Sequence, residues 1–237
     1  MDLSIVMPAR NEAGGIGEVI HDLLIATSGR SCEIIVVDDH SSDPTAAVAA
    51  MAGVMVLASS GPPGIGHALR RGIAAAAGKW TCFVMSDWSD SPESVLRMYE
   101  LAKSSDLDAV FGDRWSGAEV SGYPPLKRIL NRIGNRVASE LMACRYSDWT
   151  NIHKLYRTSL LREMATKSDG FEIGLEMSLK AVNRGARFAV VNTEWKQRRS
   201  GSSKMRLTKN AFRCFRILLK EIRNTPSISY ERTSSAY

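Results

Sequence analysis

What the 237-residue chain lacks narrows its class before any motif is read. It has no apolar run near the roughly 18–20 residues that a membrane-spanning helix needs. Its four cysteines, Cys32, Cys82, Cys144 and Cys214, stand far apart, so the Cys-x-x-Cys ligand pairs of a zinc site are missing. Scattered single thiols fit a reducing compartment and buried positions. No Gly-Lys-Ser/Thr follows a glycine-rich loop, which excludes a P-loop, and "GPPGIGHALRRG" lacks the third glycine of the dinucleotide fingerprint. His21, His40, His67 and His153 fall in separate segments, and no Ser-His-Asp or Cys-His set stands out. Each reads more readily as a structural group than as a catalytic one. The N-terminus "MDLSIVMPAR" has no basic region ahead of an apolar one, so no signal peptide is expected.

What is present is a core. Apolar residues make up 44% of the chain, enough for a packed interior and against general disorder. The net charge of +6 is unevenly placed. Residues 196–223 hold ten Lys/Arg and one acid, Glu221, whereas the remainder is slightly acidic. That local basicity marks a surface for an anionic partner such as a phosphate, a lipid headgroup or a nucleic acid.

Apolar runs and helical periodicities alternate from the start. "LSIVM", ending at Pro8, "CEIIVVDD", "GVMVLAS", "TCFVMSD" and "DAVFGDRW" read as strands. Between them, "GGIGEVIHDLLIATSG", "SSDPTAAVAAMA", "GIGHALRRGIAAAAG" and "PESVLRMYELAKSS" read as helices. Short links and strict alternation predict a doubly wound, mostly parallel α/β sheet with helices on both faces. After Trp115 come an amphipathic helix with Lys127, Arg128, Arg132 and Arg136 on its polar side, a short strand "TNIHKLYR", a helix "FEIGLEMSLKAVNRG" and a last strand "ARFAVVNTEW". A basic loop leads into a basic amphipathic helix over 206–223, and 224–237 reads as a polar, flexible tail. Residues 1–205 are expected to form the catalytic domain.

In such sheets ligands sit at the carboxyl ends of the strands. Those ends carry Pro8-Ala9-Arg10-Asn11-Glu12, Asp38-Asp39, Asp87 with Asp90, and Gly112-Asp113-Arg114. Carboxylates and arginines recurring on one edge point to a metal and phosphate site. Caps account for part of the pattern: Asp43 suits the helix that Pro44 opens, and Ser91 or Asp90 suits the one that Pro92 opens.

The ordered series "SIVMPARNE", "EIIVVDDHSSDPT", "GIGHALRRGIAAAAGK", "FVMSDWSDSPESV", "DAVFGDRW", "YPPLKRILNRIGN", "SDWTNIHKLYR", "GFEIGLEMSLKAVNRG" and "EWKQRRSGSSKMRL" resembles the family 2 glycosyltransferases, and among them the dolichyl-phosphate mannose synthase type. The resemblance covers residues 3–210. It implies a GT-A fold, a UDP- or GDP-sugar donor, a divalent Mg2+ or Mn2+ ion and inversion at the anomeric carbon. Carried over by position, Pro8, Ala9, Arg10, Asn11 and Glu12 line the nucleotide pocket, Asp39 contacts the base or ribose with Asp38 beside it, and Gly66 joins the donor-binding set. Asp87 holds the metal, with Asp90 as the second acid of the turn, and Arg114 meets a donor or acceptor phosphate. Arg198, Arg199, Ser203 and Lys204 form a loop over the diphosphate. The usual Asp-x-Asp is Ser86-Asp87-Trp88 here. A related pattern, Ala-Asp-Gly-Ser-Asp-Asp-Pro, fits better, with Trp88 in place of its glycine. Trp88 either stacks on a sugar or acceptor face or fills space.

The acceptor implied is a polyprenyl phosphate, an anion that needs no strong general base. A soluble small-molecule hydroxyl is the alternative. It requires a base, for which Asp148, Glu172 and Glu176 are candidates, although two acids four apart on a helix are often a solvated face. A nucleic-acid partner is not expected, because the basic tail matches no such motif. The expected location is cytoplasmic, with peripheral contact at the membrane face through the basic helix.

The stretch "SGSS" between basic residues is suited to closing on a phosphate. Donor plus metal is expected to protect 200–204 from limited proteolysis. Equal cleavage with and without donor would remove the lid.

Overall fold

The computed structural model describes residues 1–116, 123–195 and 207–224, with no side-chain description at 207–209. The strands are β1 (Leu3–Ala9), β2 (Cys32–Asp38), β3 (Met55–Ala58), β4 (Trp80–Phe83), β5 (Ala109–Asp113), β6 (Lys154–Arg157) and β7 (Phe188–Asn192). The helices are α1 (Ile16–Ala26), α2 (Thr45–Met51), α3 (Ile65–Ala75), α4 (Pro92–Ser104), α5 (Pro125–Leu141), α6 (Thr158–Met164), α7 (Ile173–Asn183) and α8 (Leu207–Arg223). They build one sheet in the order β3-β2-β1-β4-β6-β5-β7. All neighbours are parallel except β6, which runs antiparallel to both β4 and β5.

Successive side chains of a strand point to opposite faces, so a strand buried on both sides is apolar throughout. Leu3, Ile5 and Met7 of β1 join one core with Val19, Ile20 and Leu23 of α1 and Met98 and Tyr99 of α4. Val6 joins the other, with Leu69 and Ile73 of α3, Phe111, Tyr156 and Leu179 of α7. β1 continues two residues past the sequence reading, through Pro8 to Ala9. Proline is tolerated there because the β1–β4 ladder stops at Val6–Phe83, so its missing N–H forfeits no bond. Ser91 caps α4 by accepting the Ser94 N–H, with Pro92 at the first helical position. The short α6 was not legible in the sequence. Among the described residues no helix is long and apolar enough to cross a membrane.

Two helices depart from the usual rule that the apolar stripe faces inward. α7 is buried almost all round, and its Glu176 and Lys180 pair with each other at 2.7 Å. α5 is reversed. Its stripe of Leu126, Ile129, Leu130, Ile133, Val137 and Leu141 is 43–64% exposed, while Asn135 and Ala138 are buried. The inward side is held by polar contacts: Asn131 donates to Thr150 Oγ1 at 2.9 Å and accepts from Asn135 Nδ2 at 2.8 Å and from Trp115 Nε1 at 3.0 Å.

The start of α3 meets the segment ahead of α7 at backbone distance. Gly66 donates its N–H to Asp169 O at 2.9 Å, and a Cβ on Gly66 would overlap the Ser168 carbonyl oxygen. Overpacking of this kind costs about 1–3 kcal/mol. Gly66→Ala is expected to lower the melting temperature by about 2–4 °C for each kcal/mol lost, read by thermal denaturation. An unchanged midpoint would contradict the close approach.

Candidate active site

The strand order reverses between β1 and β4: β2 and β3 lie on one side of β1, and β4 on the other. A crevice at the carboxyl ends of the strands opens at such a switch point. Because β6 is antiparallel, the residues that precede it, 148–153, arrive at this same edge beside the ends of β4 and β5.

The first wall is a pair of loops zipped together. Asn11 Oδ1 accepts the Ser42 N–H at 2.7 Å, Glu12 N–H donates to Thr45 Oγ1 at 2.9 Å, and Ala13 N–H donates to Asp43 Oδ2 at 3.1 Å. Pro8 and Ala9 are buried and contribute carbonyls, which accept from Ser86 Oγ at 3.0 Å and from the Asp39 N–H at 2.7 Å. Arg10 stands half-buried where β1 ends. Asn11 is thereby part of the wall's own bonding. Gly66 likewise spends its amide on Asp169.

Asp38 and Asp39 differ in what remains open. Both Asp39 oxygens lie 3.0 Å from the Gly64 N–H, and His40 Nδ1 is 3.3 Å away. Asp38 Oδ2 accepts weakly from the Ser41 N–H at 3.4 Å, whereas its Oδ1 is buried without a hydrogen-bond partner. An orphaned buried oxygen is costly unless a ligand satisfies it. The acceptor left open at this strand end therefore belongs to Asp38.

At the end of β4, Asp87 and Asp90 are both buried. Asp87 Oδ1 accepts the Ser89 N–H at 3.2 Å, and Asp90 Oδ2 accepts the Met85 N–H at 2.9 Å. Burial raises the Asp90 pKa; His153, 3.8 Å away, opposes that, and the charge of Asp87 adds to it. Trp88 between them has φ of 67°, the left-handed region. That explains the glycine of the related sequence pattern: a side chain costs about 1–2 kcal/mol in this conformation. A Cβ on Gly15 would lie 3.4 Å from Trp88 Nε1, so the indole packs along the start of α1.

At the end of β5, Arg114 is held by Asp148 through Nε–Oδ2 at 2.7 Å, Nη2–Oδ1 at 2.8 Å and the Arg114 N–H at 3.1 Å. Burial alone would lower the Arg114 pKa, but the Asp148 carboxylate outweighs it and holds it above its usual value. Beneath them lies Lys154, fully buried, donating to Trp149 O at 2.8 Å and Ser178 Oγ at 2.6 Å. Burial pushes the Lys154 ammonium down to about 7, against the pull of Asp148. His153 is fixed between Phe83 O at 2.8 Å and Ser94 Oγ at 2.6 Å. Trp115, Tyr123 and Trp195 stack edge to face at 5.4 and 4.9 Å, with Arg128 over Trp115.

The sequence reading gives His153 a structural place and does not single out Lys154. A basic pair inside a strand, in "NIHKLYR", was the available signal. Glu172 and Glu176 are buried rather than solvated: Glu172 is 3.4 Å from Arg213, and Glu176 takes the N–H groups of Lys167 and Ser168 besides Lys180. Arg198, Arg199, Ser203 and Lys204 lie outside the described residues.

Among the described residues no three His, Cys, Asp or Glu side chains gather as a metal cage. The pair Asp87 and Asp90 still fits Mg2+ or Mn2+. Such ions prefer oxygen, take one or two carboxylates and complete their shell with phosphate and water. The mutual repulsion of the two acids is what a cation relieves.

A mostly parallel sheet flanked by helices, with acids gathered at its switch point, is the architecture of the GT-A fold. Glucosyl-3-phosphoglycerate synthase from Mycobacterium tuberculosis, solved with Mn2+, UDP and glucosyl-3-phosphoglycerate, superposes with a TM-score of 0.75 at 21% identity, covering 95% of this chain and 81% of that one. Residues 4–165 match glycosyl transferase family 2, and the chain belongs to that family. It is 28% identical over 199 residues to glycosyltransferase AglJ of Haloferax volcanii, spanning 84% of this chain and 64% of the relative. It is 26% identical over 222 residues to the polyprenol monophosphomannose synthase of Mycolicibacterium smegmatis, spanning 85% and 80%.

Removing one partner of a buried ion pair strands the other and costs about 3–5 kcal/mol. Asp148→Asn is expected to destabilise the protein by that amount in urea denaturation. A midpoint within error of the parent would show that the pair does not hold the site.

Proposed function

We propose that this protein transfers a hexose, with inversion, from a UDP- or GDP-sugar to a polyprenyl phosphate. The observation that carries the donor half is the set of strand-end acids at the β1–β4 switch point: Asp87 and Asp90 coupled to each other, and Asp38 with an oxygen left for a ligand. In this reading Asp38 Oδ1 accepts a hydrogen from the ribose or base. Asp39 holds Gly64 and so fixes the wall against which the nucleoside lies. Asp87, with Asp90 beside it, would hold Mg2+ or Mn2+, which would supply Lewis-acid neutralisation of a departing diphosphate. Arg114, oriented by Asp148, presents a fixed cation at the acceptor side. Arg199, Ser203 and Lys204, outside the described residues, are assigned to the phosphates by the family resemblance alone.

An acceptor phosphate oxygen attacks the anomeric carbon from the face opposite the leaving group. The bond from that carbon to the donor's β-phosphate oxygen breaks, and the nucleoside diphosphate leaves. No proton need be removed from the acceptor. This suits a site in which the acids suggested as bases are tied to cations: Asp148 to Arg114, Glu172 to Arg213 and Glu176 to Lys180. For Glu176 burial acts upward, but Lys180 and the backbone donors outweigh it and lower the pKa, which weakens it further as a base. The likeness to a polyprenol monophosphomannose synthase supports the lipid acceptor. A second reading, a small soluble acceptor, is favoured by the fold neighbour solved with phosphoglyceric acid.

The test is transfer of labelled sugar to polyprenyl phosphate in the presence of Mn2+. Asp87→Asn is expected to reduce turnover by at least about a hundredfold, the scale of a lost electrostatic stabiliser, with an unchanged melting temperature. Parent-level turnover in that variant would remove Asp87 from the metal. Transfer to a soluble phosphate ester but not to the lipid would give the second reading first place.

A further inference from the structure

The transfer reaction leaves one buried charge unused. Lys154 of β6 is fully buried and donates to Trp149 O and Ser178 Oγ. Burying a charge is costly unless it is paired, yet among the described residues no carboxylate lies within ion-pair distance of its Nζ. Its near neighbours are neutral. The Phe111 and Tyr146 rings lie 5.3 and 5.1 Å from Nζ. Burial holds the phenols of Tyr146 and Tyr156 above their usual pKa, hence protonated. On α7, Glu176 and Lys180 neutralise each other. His153, next in the strand, turns to the opposite face, toward Phe83 O and Ser94. The charges that act on Lys154 are Asp148 and Asp113, which favour the ammonium, and Arg114, which opposes it. Asp148 is spent on the Arg114 fork. Asp113, buried, accepts from the Trp115 N–H at 2.7 Å and from Ser147 Oγ. With Lys154 charged, two cations balance two acids. Without that charge, one net negative charge stands behind the edge.

We propose that Lys154 is a positioning residue for the acceptor side: its ammonium holds the Trp149 carbonyl, and through it the Asp148–Arg114 fork, and offsets Asp113 so that the edge can receive an anion. This role rests on the reading that a phosphate acceptor meets Arg114, and it is the same for a lipid phosphate and a soluble phosphate ester. Trp149 follows Asp148 directly, and its indole Nε1 donates to Ser139 Oγ at 2.9 Å. The Lys154 bond therefore fixes the backbone of a residue whose side chain is already anchored on α5. Burial lowers the Lys154 pKa to about 7, so the balancing charge is present below neutrality and is lost as pH rises through that value. A neutral amine keeps two hydrogens for Trp149 and Ser178. Deprotonation thus removes the charge and leaves the bonds.

Binding of farnesyl phosphate and of phosphoglyceric acid to the full chain is measured by calorimetry, without donor, on either side of that pKa. Lys154→Met keeps the length of the side chain and removes its charge. It is expected to weaken binding about tenfold on the acid side and no more than about twofold on the alkaline side, where the parent's lysine is itself neutral. Titration of the ligand's own phosphate is common to both proteins and cancels in this ratio. Asp113→Asn is expected to act in the opposite sense and tighten binding. A merely structural role for Lys154 gives a deficit of equal size at both pH values and weaker binding in Asp113→Asn. Either result overturns the proposal, and so does parental affinity in Lys154→Met on the acid side. Should Lys154→Met fail to fold, the direction of the Asp113→Asn effect decides. A parent that binds neither ligand removes the acceptor reading and this role with it, a result distinct from binding that ignores Lys154.

Discussion

The buried pair of Arg114 and Asp148 is the contact on which the site edge rests. Asp148 comes from the link into β6, and Arg114 from the end of β5, so three hydrogen bonds tie the approach to the one antiparallel strand of the sheet to the strand beside it. A buried ion pair is seldom a strong source of stability, because desolvation offsets most of the attraction. Its value is geometric. With its fork fixed by two carboxylate oxygens, the guanidinium has one orientation. Asn151 Nδ2 and Tyr146 Oη both donate to Gly112 O, at 3.0 and 2.8 Å, and lock the same junction from below. Lys154 is buried near the same junction, where burial lowers its pKa and Asp148 and Asp113 pull the other way.

Among the described residues six non-glycine residues have positive φ, and three of them lie where the chemistry is expected. Asn11, His40 and Trp88, each following the carboxyl end of a different strand, have positive φ. Strained residues persist only where the surroundings over-determine them, and they cluster at functional sites. Here the surroundings are the hydrogen bonds of Asn11 to Ser41 and Ser42, of Asp39 to Gly64, and the packing of Trp88 along Gly15.

The strands were legible because β1, β2 and β5 are apolar on both faces, and that pattern survives without tertiary information. The acids at their ends were legible for the same reason: a polar residue closing an apolar run is conspicuous. Which acid is open was not. Asp38 and Asp39 are adjacent and chemically alike, and only the position of the Gly64 N–H separates them. His153 and Lys154 were hidden because strand direction is not written locally, and it is the antiparallel course of β6 that brings them to the edge. The outward stripe of α5 was hidden by its own periodicity, which is identical for a helix facing a core and one facing away.

The segment between α6 and α7 joins two surfaces otherwise described apart. Asp39 holds Gly64, Gly66 donates to Asp169 O, Gly170 donates to Glu172, and Glu172 pairs with Arg213 of α8. The nucleotide wall and the outer helix are thereby ends of one bonded relay. Energetic coupling through such a relay is reciprocal: any effect of the sheet edge on α8 is matched by an equal effect of α8 on the edge. A perturbation at either end of the chain of bonds is therefore felt at the other.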